Sequence, residues 1–125
     1  MIMGKYGQEL IIDLHDCDMT KFNREDIDFY FGTICKLTNM VQCERYFWDD
    51  IGIPKEDQQT DPHTKGTSAV QFILTSSIVI HTLELTGKAY INIFTCKDFE
   101  PEAVKTFTKE WFDGEIVNSI FIERI

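Results

Sequence analysis

The residues best suited to chemistry lie between Gly66 and Cys96. A polar triplet, TSS at 75–77, interrupts two apolar runs, and His81 stands alone within the second run. Cys96 ends the apolar segment that follows. Serine, histidine and cysteine side chains act as nucleophiles and proton carriers in enzymes, although a strand histidine or a strand-end cysteine can equally be a packing residue. The residue types indicate nucleophilic or proton-transfer chemistry and leave a structural role open.

Alternating and β-branched segments around this stretch predict the elements that must position it. A helix is predicted from Asn23, which can cap it, and a second from Pro101, with Gly114 ending it. The order is read as β-α-β-β-β-α-β. It predicts an α+β fold: a two-layer α/β sandwich with both helices on one face of a largely antiparallel sheet, in a single domain of residues 1–125. The predicted strand segments are 7–14, 40–48, 67–74, 78–83, 88–96 and 116–125.

Composition excludes several classes of function. The formal net charge of −9 disfavours binding to nucleic-acid phosphates and suits a cationic ligand or simple solubility. No segment has the roughly 18 consecutive apolar residues of a membrane helix, and no signal peptide is evident, so a cytoplasmic protein is expected. The four cysteines lack zinc-ligand spacing, so no metal is expected.

The spacing of the polar residues adds a family resemblance. The stretch GTSAVQFILTSSIVIHT, followed downstream by INIFTC, resembles the central motif of prokaryotic S-adenosylmethionine decarboxylases. Ser68, Ser76, His81 and Cys96 match the four polar positions of that motif at intervals of eight, five and fifteen residues. The opening GQELIIDLHDCD is also similar to the family's first motif, and the resemblance extends from about Gly7 to Pro101.

The resemblance implies a pyruvoyl cofactor made from the chain itself. In this family the serine matched by Ser76 attacks the carbonyl of the preceding residue, here Thr75, and the chain splits into a β chain (1–75) and an α chain (76–125). Ser68 and His81 are then expected to assist this processing, and strain at the scissile bond would help. The pyruvoyl group forms a Schiff base with the substrate and draws electrons as carbon dioxide leaves, with Cys96 returning a proton.

The implied enzyme is an S-adenosylmethionine decarboxylase of polyamine (spermidine) synthesis, acting as a homodimer of processed protomers. The chain departs from the family pattern at Thr75, usually glutamate, and at Ser77, usually histidine. Arginine or ornithine therefore remain alternative substrates. An unprocessed, non-catalytic nucleotide-binding homologue and a purely structural interaction domain remain alternative functions.

Candidate substrate contacts are less defined. Aromatic rings at the end of the second strand could stack on adenine, and carboxylates could bind a ribose or a sulfonium. A long polar loop, 49–66, precedes the motif and is expected to be functional or mobile. The substrate candidates are Glu9, Asp13, Phe47, Trp48 and Glu84.

Overall fold

The computed structural model describes residues 4–125. Its strands all belong to one antiparallel sheet with the order β2-β3-β4-β5-β1-β6. The strands are β1 (Gly7–His15), β2 (Gln42–Trp48), β3 (Ser68–Ile73), β4 (Ser76–Leu83), β5 (Lys88–Thr95) and β6 (Glu115–Arg124), and the helices are α1 (Arg24–Leu37) and α2 (Pro101–Phe112).

This architecture confirms the predicted α+β sandwich, with one strand more than the predicted order. Four strands lie between the helices where the predicted order has three, because the apolar runs on either side of the TSS triplet are two strands of one hairpin. Only Leu74 and Thr75 separate the paired residues Ile73 and Ser76.

One face of the sheet carries the core. Alternate residues along β1, β3, β4 and β5 point to the helices and are buried, as the two-residue period of a strand requires. The helices contribute apolar stripes that pack on this face. The buried strand residues include Leu10, Ile12, Leu14, Ala69, Ile73, Ile78, Ile80, Ala89, Ile91 and Ile93, and those of the helices include Ile27, Tyr30, Phe31, Ile34, Val104 and Phe112.

The helix ends follow the expected signals, with one correction. The Asn23 side chain accepts a hydrogen bond from the Asp26 N–H at 2.8 Å, which caps α1, and Pro101 begins α2. The residue that ends α2 in the left-handed region is Asp113 rather than Gly114. Gly114 is needed for a different reason, since a Cβ there would lie 2.7 Å from the Cys17 sulfur.

The second face of the sheet is left open, and it is crossed by a polar row. Neighbouring strands pair Trp48 with Ser68, Ser68 with His81, His81 with Tyr90, Tyr90 with Asp13, and Asp13 with Asn118. We call these six residues the transverse row. The next row towards the β3–β4 hairpin is mostly apolar and consists of Tyr46, Val70, Val79, Asn92, Ile11 and Ile120.

Candidate active site

Ser76 lies at the start of β4, immediately after the hairpin that joins it to β3. Its side chain is on the same side as Ile78 and Ile80, and the residue is 7% exposed. The Ser76 Oγ accepts a hydrogen bond from the backbone N–H of Cys96 at 2.9 Å. The backbone just after β5 therefore fixes the Ser76 hydroxyl, which the family resemblance predicts to be the nucleophile.

Thr75, which supplies the carbonyl before Ser76, has a strained backbone. Its φ of 53° lies in the left-handed region, which β-branched residues rarely occupy. The two-residue hairpin forces this conformation, and the Thr75 hydroxyl donates to the Leu74 carbonyl at 2.8 Å. The predicted strain at the Thr75–Ser76 linkage is therefore present on the Thr75 side of the bond.

Cys96 follows β5 directly and lies against the same hairpin. Its Sγ is 3.7 Å from the Leu74 carbonyl oxygen. Hydrogen bonding from the Thr75 side chain, and then from Ser76, holds the pKa of the Cys96 thiol below its usual value. A thiol with a lowered pKa exchanges its proton more readily near neutral pH. Ser76, Thr75 and Cys96 thus form one group, which we call the hairpin cluster.

Ser68 and His81 form a second group on the open face. They are directly opposite each other on β3 and β4, and the Ser68 Oγ lies 2.7 Å from the His81 Nδ1. Close approach of the two strands fixes this pair, because a Cβ at Gly66 would lie 1.6 Å from the Thr82 carbonyl oxygen. The Thr82 N–H also donates to the Thr67 carbonyl at 2.8 Å.

The two groups lie apart within one chain, so Ser68 and His81 do not contact Ser76 of the same chain, and their expected assistance in processing stays a prediction. Ser76 and His81 are five residues apart on β4, about 16 Å at 3.3 Å per residue. An odd interval also places their side chains on opposite faces of the sheet. Any joint action requires a second copy of the chain.

A cavity of about 540 Å³ lies beside the Ser68–His81 pair. This volume is within the range of small-molecule sites. It is bounded by the end of β2, by the loop before β3 and by the transverse row. The lining residues are Trp48, Gln59, His63, Thr64, Gly66, Ser68, His81, Thr82, Leu83 and Tyr90.

Three of the substrate candidates line cavities that also contain His81. Trp48 is 83% exposed and lines the 540 Å³ cavity, and Asp13 lines a smaller one. Phe47 lines a cavity of about 330 Å³ with Ser68 and His81. It also packs partly against the core, with the Arg24 guanidinium 5.9 Å from its ring centre.

The two glutamate candidates are engaged elsewhere. Glu9 accepts from Asn92 at 2.6 Å and pairs with Arg124, and Glu84 lies 3.7 Å from the Lys65 ammonium. These contacts use the carboxylates in ion pairs and hydrogen bonds within the chain.

The cavity also contains residues that sequence analysis did not select. His63 and Gln59 come from the 49–66 loop, which is held by the Asp50 carboxylate: it accepts from Lys65 at 2.8 Å and from the Gln59 N–H at 3.2 Å. Tyr90 comes from the middle of β5. Its place beside His81 depends on the register between β4 and β5, for which the sequence offers no signal.

The described residues lack two kinds of feature. Between residues 4 and 125 no three His, Cys, Asp or Glu side chains gather in a way that could hold a metal ion. No helix within this range has the length and apolar character needed to cross a membrane.

Comparison with known proteins places this arrangement in a family. The chain is 24% identical over 123 residues to the S-adenosylmethionine decarboxylase proenzyme of Acidithiobacillus ferrooxidans, covering 98% of this chain and 84% of that protein. It is 27% identical over 122 residues to the proenzyme of the same name from Geobacillus kaustophilus, covering 98% and 90% of the two chains.

The fold has a solved counterpart. The crystal structure of the adenosylmethionine decarboxylase from Aquifex aeolicus matches with a TM-score of 0.74 at 20% identity, covering 96% of this chain and 91% of that one. The sequence profile described as S-adenosylmethionine decarboxylase matches residues 8–125. Since that match spans nearly the whole chain, the protein belongs to the S-adenosylmethionine decarboxylase family, whose members are carboxy-lyases.

Proposed function

We propose that this chain is a self-cleaving decarboxylase of S-adenosylmethionine, which supplies the decarboxylated product to polyamine (spermidine) synthesis. The observation that carries the proposal is the hairpin cluster. A fixed serine hydroxyl, a strained preceding residue and a thiol of lowered pKa meet at one bond. Family membership supports the reaction class, and the arrangement of residues supports the way in which the catalyst is made.

Cleavage begins when the Ser76 Oγ attacks the Thr75 carbonyl carbon. The amide bond breaks as an ester forms, and the hydroxyl proton passes to the nitrogen of residue 76. Elimination then removes the α-proton of residue 76 to solvent and breaks its Cβ–Oγ bond, so a Cα=Cβ bond forms and residues 1–75 leave with a new carboxylate. Residue 76, left as dehydroalanine, takes up water and loses ammonia to become the pyruvoyl group at the start of the 76–125 chain.

The residues around Ser76 fit the formation of such a group. The Cys96 N–H, 2.9 Å from the Ser76 Oγ, holds the hydroxyl in place, and the positive φ of Thr75 raises the energy of the uncut chain. Once made, a pyruvoyl carbonyl supplies an electron sink for the loss of carbon dioxide from an α-amino acid.

Cys96 is proposed as the proton donor to the substrate's α-carbon. Its thiol contacts the hairpin that carries residue 76, with Sγ 3.7 Å from the Leu74 carbonyl oxygen. The thiol is partly exposed, so a substrate can reach it. Of the two hydroxyls that lower its pKa in the uncut chain, that of Thr75 survives processing and keeps proton transfer closer to neutral pH.

The 540 Å³ cavity favours S-adenosylmethionine over arginine or ornithine as the substrate. It offers the rings of Trp48, Tyr90 and His63, and aromatic faces attract both an adenine base and a sulfonium cation. Its lining, taken from the described residues, contains no carboxylate to pair with a guanidinium or a terminal ammonium.

We further propose that the enzyme is a homodimer packed through the open face of the sheet. Exposed apolar side chains on this face include Phe72, Ile120 and Ile122, and an apolar sheet face is normally covered by a second layer. Two sheets stacked about 10 Å apart with their strands antiparallel would bring the hairpin that carries the Thr75–Ser76 bond of one copy over the Ser68–His81 pair of the other, with the Ser76 hydroxyl on the helix side of that bond. The dimer would then complete a site that one chain leaves divided.

Mixing two defective chains tests this arrangement. The variant Ser76→Ala keeps His81, and His81→Ala keeps Ser76, so a mixed dimer contains one complete site. We expect each variant to remain uncut alone, and the His81→Ala chain to be cut when the two are co-expressed. The contrary outcome is a His81→Ala chain that cleaves normally by itself, or one that the partner does not rescue although mixed dimers form.

The activity itself is tested by carbon dioxide release. We expect purified wild-type protein to release labelled carbon dioxide from carboxyl-labelled S-adenosylmethionine, and Ser76→Ala to release none. Arginine and ornithine serve as competing substrates in the same assay. Faster release from either amino acid would overturn the substrate assignment. An uncut wild-type chain that binds S-adenosylmethionine without releasing carbon dioxide would instead support a non-catalytic nucleotide-binding protein.

A further inference from the structure

Tyr90 lines two adjoining cavities, of which only the smaller one is also lined by an acidic side chain. The larger, of about 540 Å³, contains Trp48 and the Ser68–His81 pair. The smaller, of about 180 Å³, contains Asp13. The side chains of Tyr90 and His81 line both cavities, so the two spaces adjoin at these residues.

The order of the transverse row explains this arrangement. Tyr90 is directly opposite His81 on one side and Asp13 on the other, and all three side chains point to the open face. Directly opposed residues on antiparallel strands have Cβ atoms about 4.5–5.5 Å apart, so the Tyr90 ring necessarily contacts the space above both neighbours. A tyrosine here fills the gap that a small residue would leave between His81 and Asp13.

The two cavities would suit different ligands. Within the described part of the chain, no acidic side chain lines the larger cavity, whereas the Asp13 carboxylate lines the smaller one. Asp13 accepts only one side-chain hydrogen bond among the described residues, from Asn118 at 3.2 Å. The carboxylate therefore keeps acceptor capacity for a cation that can reach it.

We propose that Tyr90 is a specificity-determining residue, a partition that keeps the Asp13 carboxylate away from a ligand bound beside Ser68 and His81. The aromatic rings of the larger cavity hold a flat conjugated base. Tyr90 keeps a guanidinium or ammonium group, which needs a carboxylate partner, out of the smaller cavity that contains Asp13. This inference rests on the proposed function, since it names the residue that selects the nucleoside substrate over basic amino acids.

Binding to the non-cleavable Ser76→Ala chain tests the partition without requiring activity. The ligands are S-adenosylmethionine, arginine and ornithine, titrated by calorimetry. We expect Ser76→Ala to prefer S-adenosylmethionine. Adding Tyr90→Ala should raise the affinity for arginine or ornithine by about tenfold or more, the effect of one new hydrogen-bonded charge contact. This affinity is read separately from that of S-adenosylmethionine, which loses an aromatic ring of its cavity. Tyr90→Phe keeps the ring and should leave both affinities unchanged.

Asp13 provides the matched control. Adding Asp13→Asn to the Tyr90→Ala chain should abolish the gain, because the carboxylate that becomes accessible is removed. An affinity for the basic amino acids that changes by less than about twofold in Tyr90→Ala, a smaller effect than that of one net hydrogen bond, would overturn the proposal. So would a gain that survives Asp13→Asn, or the absence of binding by all three ligands.

The outcome is separable from that of the proposed function. Self-cleavage is measured on wild-type protein, which has the serine at position 76 that processing requires. The Tyr90 test uses Ser76→Ala chains, which cannot be cut. An uncut wild-type chain would refute the decarboxylase proposal, whereas the affinities in Ser76→Ala would still decide the role of Tyr90.

Discussion

Thr75 stores the strain that the cleavage reaction can use. A residue with a Cβ pays about 1–2 kcal/mol to occupy the left-handed region, and the two-residue hairpin holds Thr75 there. Part of this energy is released when the bond to Ser76 breaks. The residue before the scissile bond thus has a conformational role, in addition to the hydrogen bond of its hydroxyl.

Two substitutions at Thr75 separate strain from hydrogen bonding. Thr75→Gly relieves the strain, and we expect self-cleavage to slow by about tenfold, the effect of roughly 1.4 kcal/mol on a rate. Thr75→Val keeps the branched Cβ without the hydroxyl and should cleave at close to the wild-type rate. The measurement is the fraction of cut chain against time by gel electrophoresis. A glycine variant that cleaves as fast as wild type would contradict the role of strain.

The lowered pKa of Cys96 predicts a pH dependence of turnover. The proton donor is the neutral thiol, which is lost as pH rises through its pKa. Of the Thr75 and Ser76 hydroxyls that lower this pKa in the uncut chain, processing removes that of Ser76 and leaves that of Thr75, so the alkaline fall in kcat should still begin at lower pH than for an ordinary cysteine. In processed Thr75→Val protein, which lacks the first of these hydroxyls, the fall should move to higher pH. Identical profiles for the two proteins would exclude the thiol as the donor.

At the scale of elements, a buried hydrogen bond joins the two helices. The Thr108 hydroxyl donates to the Val104 carbonyl at 2.7 Å, so the Tyr30 hydroxyl, 2.7 Å away, must be the donor to Thr108. Tyr30 and Thr108 are both fully buried. A polar group left there without a hydrogen-bond partner would destabilise the folded chain by its full free energy of desolvation.

Unfolding in urea measures this contact. Thr108→Val should lower the free energy of unfolding by about 1–3 kcal/mol, because it leaves the Tyr30 hydroxyl unpaired. Tyr30→Phe should cost less, about 1 kcal/mol, since Thr108 keeps its bond to Val104. Combined, the two changes should cost less than the sum of the single effects. Strict additivity would show that the hydroxyls do not interact.

The elements were largely predictable from sequence because local patterns specify them. The apolar segment of β1, the alternation along β5, the Asn23 cap and Pro101 at the start of α2 each predict the element that the structure contains. The predicted order was one strand short, although the two apolar runs were recognised, because hydrophobic pattern alone does not show where a chain reverses. The left-handed residues Thr75 and Asp113 carry no glycine signal, so their conformations were not predictable.

The whole molecule shows why the site was only partly predictable. Spacing identified Ser68, Ser76, His81 and Cys96, but which of them meet depends on register and sheet face. The odd interval from 76 to 81 along one strand was a usable signal that Ser76 and His81 point to opposite faces. The neighbours of His81 on β3 and β5 follow from strand pairing between residues distant in sequence, and no local pattern encodes it.

The state of residue 76 in freshly purified wild-type protein tests the central claim most directly. Intact-mass measurement, combined with hydrazine labelling, reports both the cut and the carbonyl. The account predicts two chains split before Ser76, with the smaller one resistant to N-terminal sequencing and labelled by hydrazine. A single chain of full mass that takes up no label would contradict it.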